Sequence, residues 1–192
     1  MSAAAAEREL IELESARVVE AIRAERVSSP PCQVAFLHSG DNAPAMVTFA
    51  ALLSENERTR RVASRSGDHG TLWQPASWET VDFVGSHPDP RAWELAERAV
   101  DGLSGDALDE PEVMVLQRIA RAVTRRAEEA HQLVSDDFVC WAADHDAADP
   151  AGGFRACADP VILERYEGLG WLPAEGGGLK VDGLLPGYLD GD

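Results

Sequence analysis

Asp137-Phe138-Val139-Cys140-Trp141-Ala142-Ala143-Asp144-His145-Asp146-Ala147-Ala148-Asp149 is the stretch from which the fold is read. Phe138 to Trp141 is the densest β-type run in the chain, too short for a helix and rich in aromatic and branched residues. It passes directly into four metal-capable side chains, Asp144, His145, Asp146 and Asp149. A buried strand that opens into polar groups is how many folds present a site. It is also how any buried strand reaches water.

Outward from this strand the chain divides into elements. A helix is expected over 3–27, with Leu10, Ile11, Ser15, Val18 and Ile22 along one stripe. Ser28-Ser29-Pro30-Pro31 stops it, because proline removes a donor and biases the residue before it away from helix. A strand at 32–38, a turn at 39–42 and a returning strand at 44–49 read as a hairpin. A helix follows over 49–63, then a polar loop over 64–70. Trp78 opens a strand through Val81 and Phe83. Two helices come next. The one at 91–103 has Asp89 as its cap and Pro90 in its first turn; the one at 110–133 has a core stripe of Val113, Leu116, Ala120, Val123, Ala127 and Ala130. After the opening strand come a loop at 148–153, a short extension at 154–156 and a helix at 161–167. These elements predict one α+β domain over 1–173, with a mostly antiparallel sheet of four to five strands packed against segregated helices. The acidic, glycine-rich segment 174–192 reads as a tail.

The 192 residues suffice for one domain, and 45% of them are hydrophobic. The formal net charge is −17, from 34 acidic and 17 basic residues. That charge repels phosphate backbones, so nucleic-acid binding is not expected. No apolar run of membrane-spanning length occurs, so no membrane partner is expected either. The first residues lack a basic region followed by an apolar core, and a cytoplasmic location follows. Cys32, Cys140 and Cys157 have no Cys-x-x-Cys spacing, so neither a zinc knuckle nor a redox motif is expected. No cofactor is expected.

Carboxylates and imidazole are ligands for divalent ions, which makes Asp144, His145 and Asp146 a candidate metal set. Alternation along a strand puts Asp144 and Asp146 on one face, and a further ligand would come from His38 or His69. The same residues suit a plain polar turn. The remaining histidines, His87 and His131, make no His-x-x-x-His pair with any other. Ser39 lies next to His38, but neighbours on a strand face apart. Gly176-Gly177-Gly178 opens no helix and so cradles no phosphate. Among the tryptophans, Trp78, Trp93 and Trp141 read as core, whereas Trp73 and Trp171 stand beside glycine or proline turns and read as binding residues. Between Ser135 and Asp192 there are 12 acidic residues against Arg155, Arg165 and Lys180. An acidic face carrying Asp144, Asp146 and Asp149 is therefore expected to meet a basic protein partner. A metal-dependent hydrolase built on the Asp/His cluster is the alternative.

Val34 to Leu37, the segment Trp73-x-Pro75-x-x-Trp78, and the strand and turn from Phe138 to Asp146 together resemble a widespread bacterial family of small domain-of-unknown-function proteins. The resemblance spans 10–173. It implies a non-enzymatic, immunity-type role, and it carries no catalytic residues with it.

Overall fold

The computed structural model describes residues 1–38, 45–64, 70–85, 89–103, 111–130, 132–144 and 149–173. Its centre is β1 (Pro31–His38), in which all eight residues are buried. A strand covered on both faces reads as a continuous apolar run rather than as an alternation. β2 (Ala50–Ser54) pairs with it antiparallel, from Pro31 opposite Ser54 to Phe36 opposite Ala50. On its other side β4 (Val139–Asp144) pairs parallel, from Gln33 opposite Val139 to His38 opposite Asp144. The two-residue β3 (Thr80–Val81) completes the order β3-β2-β1-β4.

The sheet is thus mixed and has four strands, not mostly antiparallel as the hairpin reading implied. The reason lies in the connection. Parallel strands need a crossover of a dozen or more residues. Here the chain from β3 to β4 supplies one that includes α3 (Pro90–Asp101) and α4 (Pro111–Glu129). The helices are not segregated either. α1 (Ala3–Ala24), α3 and α4 cover one face, where Val34, Phe36, Leu52, Cys140 and Ala142 point. On the other face, α5 (Pro150–Cys157), α6 (Pro160–Gly168) and the short 3-10 turns Gly70–Trp73 and Pro75–Ser77 enclose Ala35, Leu53, Trp141 and Ala143. Among the described residues, no helix is long and apolar enough to cross a membrane.

Four expected elements shift, among them the strand expected from Trp78 through Phe83, of which only Thr80–Val81 is strand. Residues 45–49 are not a strand. Ala45, Met46 and Val47 are buried against the α1 face, with the Val47 amide donating to Glu14 Oε2 at 3.1 Å. The strand is instead the Ala-Ala-Leu-Leu-Ser run at 50–54, whose composition favours helix. Two-sided burial and the ladder to β1 override that propensity. α2 (Glu55–Ser64) begins only after it. Residues 150–157 form a helix, not a loop and extension; Pro150 in its first turn was the signal. The segment 174–192 lies outside the described residues.

β4 is an outer strand, and its free side is closed by side chains. Thr124 Oγ1, from α4, accepts the Cys140 N–H at 2.9 Å and donates to Ala120 O at 3.3 Å. Cys157, at the end of α5, packs against both core clusters beside it. α5 comes so close that a Cβ on Gly153 would stand 2.3 Å from Ala142 O. An edge sealed in this way offers no template to another strand.

Gly153→Ala should therefore destabilise the protein by about 2–3 kcal/mol or more, since the obstacle is backbone and cannot swing aside. Gly168→Ala, with nothing within 4 Å, should be neutral or slightly stabilising. Urea unfolding of the two variants checks this; equal midpoints would contradict it.

Candidate functional site at the strand ends

Because β1 and β4 run parallel, their carboxyl ends emerge together. In open sheets this is where ligands are taken up. The last residues of the two strands, His38 and Asp144, are register partners. His38 Nδ1 lies 3.8 Å from Asp144 Oδ2, with His38 nearly buried and Asp144 half-buried. Of the histidines considered as companions to Asp144, the structure brings His38 to it. Asp149 precedes the first turn of α5 and makes no side-chain cap there. Its Oδ2 accepts from Arg155 Nη1 at 2.9 Å, and Arg155 also donates to the Pro173 carbonyl. His145, Asp146, His69, His87, His131 and Ser39 lie outside the described residues. Among the described residues, no three metal-capable side chains converge.

A second polar cluster occupies the opposite end of the same strands, and local sequence gave little hint of it. Arg58 on α2 donates through Nη1 to Asp137 Oδ2 at 2.6 Å and to the Tyr166 hydroxyl at 2.7 Å. Ser135 Oγ donates to Asp137 Oδ1 at 2.8 Å. Gln33 accepts from Trp141 Nε1 at 3.1 Å and lies 3.5 Å from the Tyr166 hydroxyl. The guanidinium also stacks 5.2 Å from the Trp171 ring centroid. Burial alone would raise the Asp137 carboxyl. The Arg58 hydrogen bond and charge, Ser135 and Arg165 reverse this and hold it below its ordinary value. Burial pushes the Cys32 thiol and the Tyr166 phenol up to about 12 each, which leaves both neutral at physiological pH. The cluster is a clamp joining α2, β1, the start of β4 and α6. Gln33, a polar residue inside an apolar strand, was the one sequence signal for it, since a buried amide needs partners. Arg58 and Asp137 are 79 positions apart, and no local pattern pairs them.

The tryptophans fall differently from expectation. Trp73 is 1% exposed; its ring packs edge-on against Phe154 at 5.1 Å and its Nε1 donates to Trp171 O. It is a core residue, not an open binding one. Trp171 is half-buried over Tyr166 and Arg58. Trp78 and Trp141 are buried as expected, whereas Trp93, expected in the core, is 42% exposed on α3. Its position on the flank of the helix, away from the buried stripe Ala92, Leu95, Ala96 and Ala99, is the reason.

The late carboxylates are also largely engaged. Asp137 pairs with Arg58, with Arg165 3.8 Å away; Asp149 pairs with Arg155; Asp159 caps α6 by accepting the Val161 N–H. Compared with family models, with curated proteins and with solved structures, the chain matches none. The resemblance through Val34 to Leu37, Trp73, Pro75 and Trp78, and Phe138 to Asp146 thus rests on those residues alone.

Removing Arg58 would leave the Asp137 charge buried without its partner, so Arg58→Ala should cost about 3–5 kcal/mol. The pH dependence follows from the lowered Asp137 pKa. The unfolded chain takes up this proton first, so the contribution is complete above the ordinary carboxylate pKa of about 4 and is lost as pH falls from there through the folded value. Asp137→Asn should flatten the acid limb of the stability curve, measured by urea midpoints between about pH 6 and 2. An unchanged limb would contradict it.

Proposed function

We propose that the chain is a non-enzymatic, cytoplasmic binding protein whose anionic exterior takes up a basic protein partner. The observation that carries this reading is how the arginines are used. Arg91, Arg118 and Arg126 reach from α3 and α4 to Glu9, Glu7 and Glu12 of α1. Arg58, Arg61 and Arg17 bind buried carboxylates, Asp137, Glu57 and Glu14. These six arginines are thus tied into struts while acids outnumber bases two to one, 34 to 17. The surplus of negative charge therefore faces solvent, a field that selects a basic partner and accelerates its approach. An immunity-type role, in which the partner is a toxin held inactive, is one form of this reading, and the family resemblance supports it.

A specific geometry supports a second reading, a metal-dependent hydrolase. His38 and Asp144 stand 3.8 Å apart at the carboxyl ends of parallel strands, where an ion and an activated water could be held.

Immobilised protein should retain basic proteins from a lysate at low salt and release them as ionic strength rises, because screening weakens exposed charge pairs. Retention of nothing, or salt-resistant capture of acidic proteins, would overturn the first reading. For the second, added Mn²⁺, Zn²⁺ or Mg²⁺ should raise the melting temperature of the wild type but not of His38→Ala or Asp144→Asn. No shift with any of the three ions removes it.

A further inference from the structure

We propose that the outer face of α3 is the docking surface for this partner, and that the partner presents arginine to it; the proposal rests on the binding reading above. α3 packs on α1 and α4 through Ala92, Leu95, Ala96 and Ala99. Its opposite side carries Glu94, Glu97, Arg98 and Asp101, all exposed, three acids against one base, with Trp93 on the flank. Trp93 Nε1 donates to Glu97 Oε1 at 2.8 Å, one helical turn away. That bond orients a large aromatic ring at the surface rather than in the core. Tryptophan is the aromatic most enriched where partners bind and the best face for a cation. The three carboxylates have no ion-pair partner among the described residues, in contrast to Glu7, Glu9 and Glu12 on neighbouring α1.

The chemistry selects the occupant. A guanidinium is planar, stacks on an indole and offers paired N–H groups to carboxylates, whereas a lysine ammonium does only the last of these, as a point charge. One arginine can lie over Trp93 while its neighbours meet Glu94 and Asp101. Nucleic acid is repelled by the same carboxylates, and a purely apolar partner would leave them without counter-charge.

The test titrates the full chain with a nine-residue oligo-arginine peptide by calorimetry and follows the Trp93 indole N–H by NMR. Wild type should bind, with the Trp93 signal shifting. Trp93→Ala should weaken binding roughly two- to fivefold. The triple variant Glu94→Gln, Glu97→Gln, Asp101→Asn keeps an acceptor for the Trp93 N–H and should weaken it about tenfold. Removing the same number of charges elsewhere, in Glu128→Gln, Glu164→Gln, Glu167→Gln, should have a clearly smaller effect. Circular dichroism verifies that each variant is folded. Equal losses in the two triple variants, with none in Trp93→Ala, would overturn the α3 assignment and leave the binding reading standing. No peptide binding by the wild type would overturn both.

Discussion

The structure depends on one constraint: β1 is buried on both faces and flanked by hydrogen-bonded strands on both sides. Every backbone donor and acceptor in such a strand must find a partner within the protein, because no water reaches it. β2 and β4 supply those partners. The requirement then passes outward to β4, whose free side is met by Thr124 and the close approach of α5 at Gly153. Two-sided burial also explains the distribution of helices. A sheet with apolar side chains above and below must be covered twice, so α1, α3 and α4 take one face and α5 and α6 the other. The parallel β1–β4 pair follows from the same geometry, since the chain between β3 and β4 contains two helices before it can return to the centre.

This centre also determines where polar chemistry can stand. Within the strands there is room only for residues whose polar atoms are satisfied, such as Gln33 between Trp141 and Tyr166. At the amino ends of β1 and β4, polar groups close into the Arg58–Asp137–Tyr166 clamp. At the carboxyl ends they open as His38 and Asp144. In the clamp, the Arg58, Asp137, Ser135 and Tyr166 side chains meet one another within normal hydrogen-bond distance, which is the signature of a structural joint. The His38–Asp144 pair, 3.8 Å apart, is an ion-pair contact at the strand ends rather than a hydrogen-bonded joint of this kind.

Much of this was legible in the sequence wherever one local rule decided the outcome. The stripe of α4, the Asp89 and Asp159 caps, the breaker at Pro30-Pro31 and the strand ending at Asp144 each follow from spacing or from a side chain's reach to its own backbone. Failures came where distant residues decide. Ala50-Ala51-Leu52-Leu53 is helical by propensity and becomes a strand because β1 needs an antiparallel neighbour. The parallel register of β4 depends on the 57 residues between Val81 and Val139 being folded elsewhere. Trp73 and Trp93 exchange their expected roles for a similar reason: the turn that looked open is covered by α5 and α6, and the helix that looked enclosed is covered on one side only. The cluster at Asp144 was visible as composition. What the sequence could not show was that Asp149 is matched by Arg155 six residues later, at the start of a helix read as loop.

The electrostatics then follow from the packing rather than from the totals. A chain with this excess of acid repels itself on folding, and the repulsion is worst where helices meet. α1 is the helix most exposed to it, with Glu7, Glu9, Glu12 and Glu14 in succession. Arginines from α3 and α4 answer the first three across the helix interfaces, and Arg17 answers the buried Glu14. Arginine suits this use because its guanidinium remains charged when partly desolvated and binds in a fixed geometry. With these arginines committed to interfaces, the outward face of α3 keeps three carboxylates against the single exposed Arg98 in little more than two turns. Any cationic segment that approaches that face therefore meets charge the fold does not use for its own cohesion, and it can bind there without breaking a strut that holds the helices together.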